Sequence, residues 1–160
     1  MASQSNFDYV IIGAGSAGCI LAARLSEDPA TRVLVIEAGG PDRDPLIKIP
    51  LAWMKFVRDR LHDWKYDTEP EPNMAGRHFE ITRGKVLGGS SSINAMAYVR
   101  GHAGDYDRWA GNGLPGWTYE DLLPRFKRTE SWQGGGSELR GGGGPIQTRE
   151  STFRDPVIEA

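Results

Sequence analysis

Six residues near the N-terminus, Gly13-Ala14-Gly15-Ser16-Ala17-Gly18, have the spacing G-x-G-x-x-G, and Glu37 follows 19 positions beyond the last glycine. Such a string can bring backbone N–H groups against a diphosphate. Gly13 would allow the tight turn, Gly15 the approach of the backbone to the pyrophosphate, and Gly18 close packing of helix on strand. Glu37 sits near the roughly 20-residue offset at which a carboxylate accepts hydrogen bonds from adenosine ribose hydroxyls. A carboxylate there repels a 2′-phosphate, which disfavours NADP and leaves NAD and FAD. Glycine-rich hexapeptides also occur in ordinary strand-to-helix turns, so the flanking elements decide the reading.

The flanks fit. Phe7 to Ile12, FDYVII, is a short apolar run with the profile of a buried strand in a parallel sheet. Ala17, Leu21 and Leu25 recur every four positions on one helical face, and Pro29 stops that helix. Arg32 to Glu37, RVLVIE, is strand-like again, so residues 7–37 make a βαβ unit of about 30 residues. The helix N-terminus offers free N–H groups to a diphosphate. Cys19, the one cysteine, is expected to be a small core residue and excludes an internal disulfide.

A second group of chemistry-bearing residues spans 83–107, RGKVLGGSSSINAMAYVRGHAGDYD. Gly88 and Gly89 let the backbone come close to something flat or charged, and Ser90, Ser91 and Asn94 supply short polar groups. Such a set suits an isoalloxazine and a diphosphate, and equally a tight connection with a helix cap. A short strand is expected at Phe79 to Thr82, and Ser90 to Val99 has helix-compatible composition.

At this segment the chain strongly resembles the glucose–methanol–choline (GMC) family of FAD-dependent oxidoreductases. The family signature runs from Gly84 to Asp107: GKVLGGSSSIN, three residues, Tyr98, two more, Gly101, and Asp107 six further on. FDYVIIGAGSAG, LVIEAG at 34–39, DWKYDTEP at 63–70 and RGHAGDYDRWA at 100–110 are similar to it too. GWTYEDLLPRFKRTE, residues 116–130, resembles the choline-dehydrogenase-like branch. The resemblance implies an α/β, Rossmann-like FAD-binding fold of GMC type, incomplete in this chain. It implies FAD rather than NAD, held by Gly13, Gly15, Ser16, Ala17 and Gly18 at the diphosphate and by Glu37 at the adenosine ribose, with Ala38 beside it. Val86, Gly89, Ser90, Asn94, Ala95 and Met96 would approach the flavin half, and Trp64 would close over the cofactor. Ile93 stands where some relatives carry a histidine linked to FAD, so noncovalent FAD is expected.

The activity implied is oxidation of an alcohol, a base taking the hydroxyl proton while the carbinol carbon gives hydride to flavin. Alternatives within the resemblance are a lyase, a photodecarboxylase or a non-catalytic FAD-binding fragment. The family's catalytic histidine, with its histidine or asparagine partner, comes from near the C-terminus, so no catalytic residue is assigned in this chain. His62, His78 and His102 are expected to be surface or packing residues, and Trp109 and Trp117 to pack an α/β layer. The implied partners are a small-molecule alcohol and the remaining C-terminal part of the enzyme.

Further along, residues 39–73 carry Pro41, Pro45, Pro50, Pro70 and Pro72 and read as an excursion over the surface, with one short helix within Leu51 to Leu61. Thr118 and Asp121 resemble a capping box, after which Pro124 is expected to end one turn and open a second helical piece to Glu130. Gly134 to Gly144 reads as a flexible loop, and Phe153 to Ala160 as the start of a helix. The expected organisation is an FAD-binding domain over 1–115 and, over 116–160, a connection toward a substrate domain.

The 160 residues are 39% hydrophobic and 25% charged with a net charge of −2, and the basic residues are spread out, so nucleic acid is not an expected partner. No Cys/His grouping has zinc spacing. Met1 to Asn6 is short and polar, without the pattern of a signal peptide, and no apolar run is long enough for a transmembrane segment, so a cytoplasmic location is expected.

Overall fold

The strand, glycine turn and helix read from the first motif form as a βαβ unit: β1 (Tyr9–Ile12), α1 (Ser16–Leu25) and β2 (Val33–Ile36). In this computed structural model, which describes residues 6–151, β1 and β2 pair in parallel from Tyr9 opposite Val33 to Ile12 opposite Ile36. The helix start carries the turn geometry, with Gly15 at the N-cap in extended conformation. The helical stripe facing the strands differs by one position from the expected one. Gly18 is buried and Ala22 and Leu25 are half-buried, whereas Ala17 and Leu21 are exposed. Cys19 follows Gly18 and is turned about 100° around the helix, so it is exposed rather than a core residue. Its thiol lies 3.2 Å from the Ala14 carbonyl.

The strands are not the buried core that their composition predicts. Val10 is 55% exposed and Ile12 86%, because among the described residues this sheet has two strands only. The core of the first unit comes instead from the segment expected to run over the surface. Two 3₁₀ turns, Pro45–Lys48 and Pro50–Ala52, lead into α2 (Trp53–Asp59). Ala52 and Phe56 are then buried against Val86 and Ile93, with Leu46, Ile47 and Leu61 packed around them. The prolines stand at the first position of each 3₁₀ turn, where no N–H is needed. They punctuate a packed segment.

After α2, the chain passes through three non-glycine residues in the left-handed region, Arg60, His62 and Lys65. It then forms an antiparallel pair, β3 (Tyr66–Asp67) with β4 (Glu80–Ile81), inside the strand expected at 79–82. No α-helix follows at 90–99. A 3₁₀ turn covers Gly89–Ser92, and Met96 has a φ of 58°. The side chains explain the difference. Ser91 and Ser92 hydroxyls donate to the carbonyls of Gly88 and Leu87, and the Asn94 side chain accepts from the Met96 N–H. Short polar side chains here take over the backbone groups that a helix would use.

A second compact unit begins at Tyr98, so the boundary expected at residue 115 falls within it. Its first helix, α3 (Ala103–Gly111), is capped by the His102 ring accepting from the Gly104 N–H. This helix is not legible in the sequence, since histidine is not among the strong N-cap types and two glycines lower its helix propensity. The capping box forms: the Thr118 hydroxyl accepts from the Asp121 N–H, and Asp121 accepts from the Thr118 N–H. From it α4 (Tyr119–Thr129) runs straight through Pro124 instead of breaking there. Packing sustains it, since Tyr106 of α3 lies 5.7 Å from Phe126 and 6.0 Å from Tyr119 between ring centroids. Trp109 and Trp117 meet edge to face at 6.0 Å, each nearly half exposed.

Two short parallel strands, β5 (Glu130–Trp132) and β6 (Ile146–Thr148), close the unit. A parallel pair needs a crossover of about a dozen residues, and the glycine-rich stretch at 134–144 supplies it. That stretch is pinned. Trp132 N–H donates to the Gly141 carbonyl, Gly144 N–H to the Glu130 carbonyl, and Gly141 N–H to the Glu130 carboxylate. The helix expected at 153–160 lies outside the described residues. Among the described residues no helix is long and apolar enough to cross a membrane.

Candidate functional site

Ala14 is the point where the two glycine segments join. Its N–H donates to Glu37 Oε2 at 2.6 Å and its carbonyl accepts from the Gly88 N–H at 2.8 Å. Glu37 Oε1 accepts from the Gly39 N–H at 2.8 Å, so the acidic residue at the end of the second strand braces the turns on both sides of it. An ionised carboxylate has about four acceptor sites, which leaves room for further donors. Gly13 N–H donates to the Ile36 carbonyl and prolongs the parallel ladder into the turn.

Close approach explains the glycines. A Cβ at Gly18 would overlap the Gly13 carbonyl, and one at Gly89, where φ is +59°, would stand 2.8 Å from the Gly15 Cα. Backbone meets backbone at both places. The Gly84 N–H donates to the Ser90 hydroxyl at 3.0 Å and tightens the second segment.

Between these segments lies a cavity of about 970 Å³, at the upper end of the range for cofactor sites. Ten of the fourteen sequence-derived site residues line it: Gly13, Gly15, Ser16, Ala17, Gly18, Glu37, Ala38, Trp64, Gly89 and Ser90. The first turn of α1 opens onto it, where helix N–H groups lack intrahelical partners and favour an anion. Four expected residues lie elsewhere. Val86 is fully buried in the core. Asn94 and Met96 line a smaller cavity of about 220 Å³ with Trp53, Phe56, Ser91 and Ser92. Ala95 is exposed and lines neither cavity.

Tyr66, Ile81 and Arg83 line the large cavity although the sequence assigns them no role, and Gly84, the first residue of the family signature, lines it too. Tyr66 opposes Ile81, and the Trp64 N–H donates to the Arg83 carbonyl at 2.9 Å. These four line the same cavity side by side. The alternation Trp64, Tyr66 was the available signal. Their rings stack at 5.7 Å with planes 9° apart, and the Lys85 ammonium sits 4.6 Å from the Trp64 ring centroid. Arg83 adds a guanidinium to a lining whose other charged residue is Glu37. A flat aromatic wall, a cation, helix N–H groups and glycine-only contacts suit a dinucleotide with a diphosphate at its centre.

The histidines have other roles. His62 Nε2 is 2.9 Å from Asp44 Oδ2 and His78 Nδ1 is 2.9 Å from the Thr68 carbonyl, while His102 caps α3. The bond from His62, with that from the Leu46 N–H, holds the Asp44 carboxyl below its ordinary range. Among the described residues no group of three His, Cys, Asp or Glu side chains could hold a metal.

The sequence over residues 7–156 matches the family model described as GMC oxidoreductase. The chain belongs to the GMC oxidoreductase family. It is 50% identical over 145 residues to an oxygen-dependent choline dehydrogenase from Vibrio vulnificus, covering 91% of this chain and 26% of that protein. The structure superposes on pyridoxine 4-oxidase from Mesorbium loti with a TM-score of 0.81 at 47% identity, covering 89% of this chain and 28% of the other. Formate oxidase from Aspergillus oryzae, described with its FAD, gives a TM-score of 0.82 at 35% identity, covering 99% and 30%. The chain therefore spans between a quarter and a third of the length of these relatives. It is the FAD-binding region of a GMC flavoprotein, with the α/β fold that its first motif predicts.

Proposed function

We propose that this chain holds FAD for an enzyme that oxidises a small alcohol, with the base that takes the hydroxyl proton supplied from outside residues 1–160. One observation carries the reading: two glycine segments about 70 residues apart in sequence meet at Gly15 and Gly89 and border one cavity. FAD, when bound, supplies the two-electron acceptor. Gly13, Gly15, Ser16, Ala17 and Gly18 direct backbone N–H groups and the start of α1 to the diphosphate. Glu37 and Ala38 face the adenosine ribose. Trp64, Gly89 and Ser90, with Val86, Asn94, Ala95 and Met96 behind or beyond them, support the flavin half.

The relatives named above are a dehydrogenase and two oxidases, which favours alcohol oxidation over carbon–carbon cleavage. Noncovalent attachment is part of the proposal, because Ile93 offers no nucleophile. Acid precipitation of the intact protein should therefore release its FAD into the supernatant. The cytoplasmic location expected from the sequence belongs to the same proposal, and fractionation of cells making the protein tests it.

The deciding experiment titrates FAD into the intact apoprotein and its Glu37→Ala variant. Losing a charged acceptor at the ribose and the brace on Ala14 and Gly39 should weaken binding about tenfold, equivalent to about 1.4 kcal/mol. Unchanged affinity would remove Glu37 from the site. Bleaching of the bound flavin by a primary or secondary alcohol tests the activity.

A further inference from the structure

The cavity wall made by Trp64, Tyr66, Ile81 and Arg83 is held by a residue that does not line it. Asp63 lies directly before Trp64, and its side chain is fully buried. Its Oδ1 accepts the Arg83 N–H at 2.7 Å and its Oδ2 the Arg60 Nε–H at 3.3 Å. The backbone joins at the same level. Trp64 N–H donates to the Arg83 carbonyl, Lys85 N–H donates to the His62 carbonyl, and Asp63 bridges Gly84.

Arg60 extends the arrangement. Its guanidinium donates to the Tyr66 carbonyl at 2.9 Å and to Asp67 Oδ1 at 3.0 Å. Arg60, His62 and Lys65 all have positive φ around this carboxylate. Arg60 takes this conformation as the C-cap of α2, while His62 and Lys65 take it on either side of Asp63, and left-handed non-glycine residues concentrate at functional sites. Burial pushes the Asp63 pKa up, but the Arg83 and Lys65 N–H groups and the Arg60 guanidinium outweigh it and hold the carboxyl below its ordinary range. The carboxylate is thus ionised at neutral pH, with every described donor directed to it from the cavity wall or its approach.

We propose that Asp63 is a positioning residue for the FAD site: it sets the register of 62–67 against 80–85 and so places Trp64, Tyr66 and Arg83 along the cavity. This inference rests on the reading of the cavity as the FAD site. It also reaches the glycine contact. Gly84, opposite Asp63, is the residue whose N–H is tied to Ser90, next to the Gly89 that meets Gly15.

The test compares Asp63→Asn with wild type in the intact protein by FAD titration, visible-region circular dichroism of the bound flavin, and thermal unfolding. Asparagine keeps one acceptor for the Arg83 N–H and loses the charge and the second acceptor that Arg60 uses. FAD affinity should fall at least tenfold and the flavin dichroism should change, while Asp63→Glu should restore part of both. Glu130→Gln, whose carboxylate is equally buried but belongs to the second compact unit, serves as the control for stability loss alone, with FAD affinity within twofold of wild type. Should Asp63→Asn fail to fold, Arg60→Lys carries the test. It keeps the charge, loses the forked donor to Tyr66 and Asp67, and should weaken FAD several-fold.

Affinity and dichroism unchanged in every folded variant would overturn the role of Asp63. Wild-type protein that takes up no FAD would overturn the underlying reading of the site instead.

Discussion

The glycine segments at 13–18 and 84–89 and the glycine-rich stretch at 134–144 are alike in composition and opposite in use. The first two meet backbone to backbone and border an open cavity. The third closes around a single buried side chain. Glu130 is fully buried, and its carboxylate takes Arg100 at 2.6 Å, Arg140 at 2.7 Å, the Thr148 hydroxyl at 2.9 Å and the Gly141 N–H at 3.1 Å. A Cβ at Gly141 would overlap the Lys127 carbonyl. Glycine in one place lets two backbone segments meet beside a cavity, and in the other lets the crossover close on the backbone around the protein's own carboxylate. The neighbour that each absent Cβ would strike separates the two uses, whereas glycine content does not.

The largest effect should come from Gly89→Ala. It forces a side chain into the left-handed region and against the Gly15 backbone, at a cost of about 4 kcal/mol between strain and overpacking. The intact protein should be isolated free of FAD, as its visible spectrum would reveal. Retention of a full flavin complement would break the distinction drawn between the segments.

Glu130→Gln should follow, destabilising by about 3 kcal/mol because Arg100, and in part the more exposed Arg140, lose their counter-charge. Urea unfolding measures the loss, and FAD affinity should stay within twofold. The same variant has a pH signature. Burial raises the Glu130 pKa, but Gly141, Thr148 and Arg140 lower it further, so its folded value lies below the ordinary carboxylate range. A depressed carboxylate contributes stability that is present above the unfolded pKa and lost as pH falls through the folded one. Wild type should therefore lose more stability than Glu130→Gln between neutral pH and acid, the two curves converging below the ordinary carboxylate range.

The smallest effect is expected from Thr118→Ala, which removes the side-chain half of the capping box on α4 and should cost about 1 kcal/mol. The midpoint in urea should fall with FAD affinity unchanged. A weakened cofactor would mean that α4 serves the site, sharpening where the binding region ends.

Much of the local structure was legible in the residues. Apolar runs of strand length flanking G-x-G-x-x-G give β1, α1 and β2 within two residues, and Thr118 with Asp121 marks the start of α4. The errors have a common cause. Pro124 reads as a break because a proline removes one N–H, yet the contacts of Tyr106 with Tyr119 and Phe126 keep α4 continuous. Residues 90–99 read as helical because their hydroxyls and amide look neutral one at a time, and only together do they take the backbone's bonding groups. The stretch 39–73 reads as surface because its prolines interrupt periodicity, while Phe56 is packed beneath Val86 and Ile93.

By itself, the sequence determined the βαβ unit, the dinucleotide chemistry of its turn and the family, because these depend on spacing within short stretches of chain. Tertiary structure alone decided that Gly89 abuts Gly15, that Glu37 braces Ala14 and Gly39, and that Asp63 and Glu130 each organise backbone N–H groups 11 to 20 residues away. A buried carboxylate is stable only where several donors converge on it. That convergence is a property of the packed chain, and the one-dimensional pattern carries no trace of it.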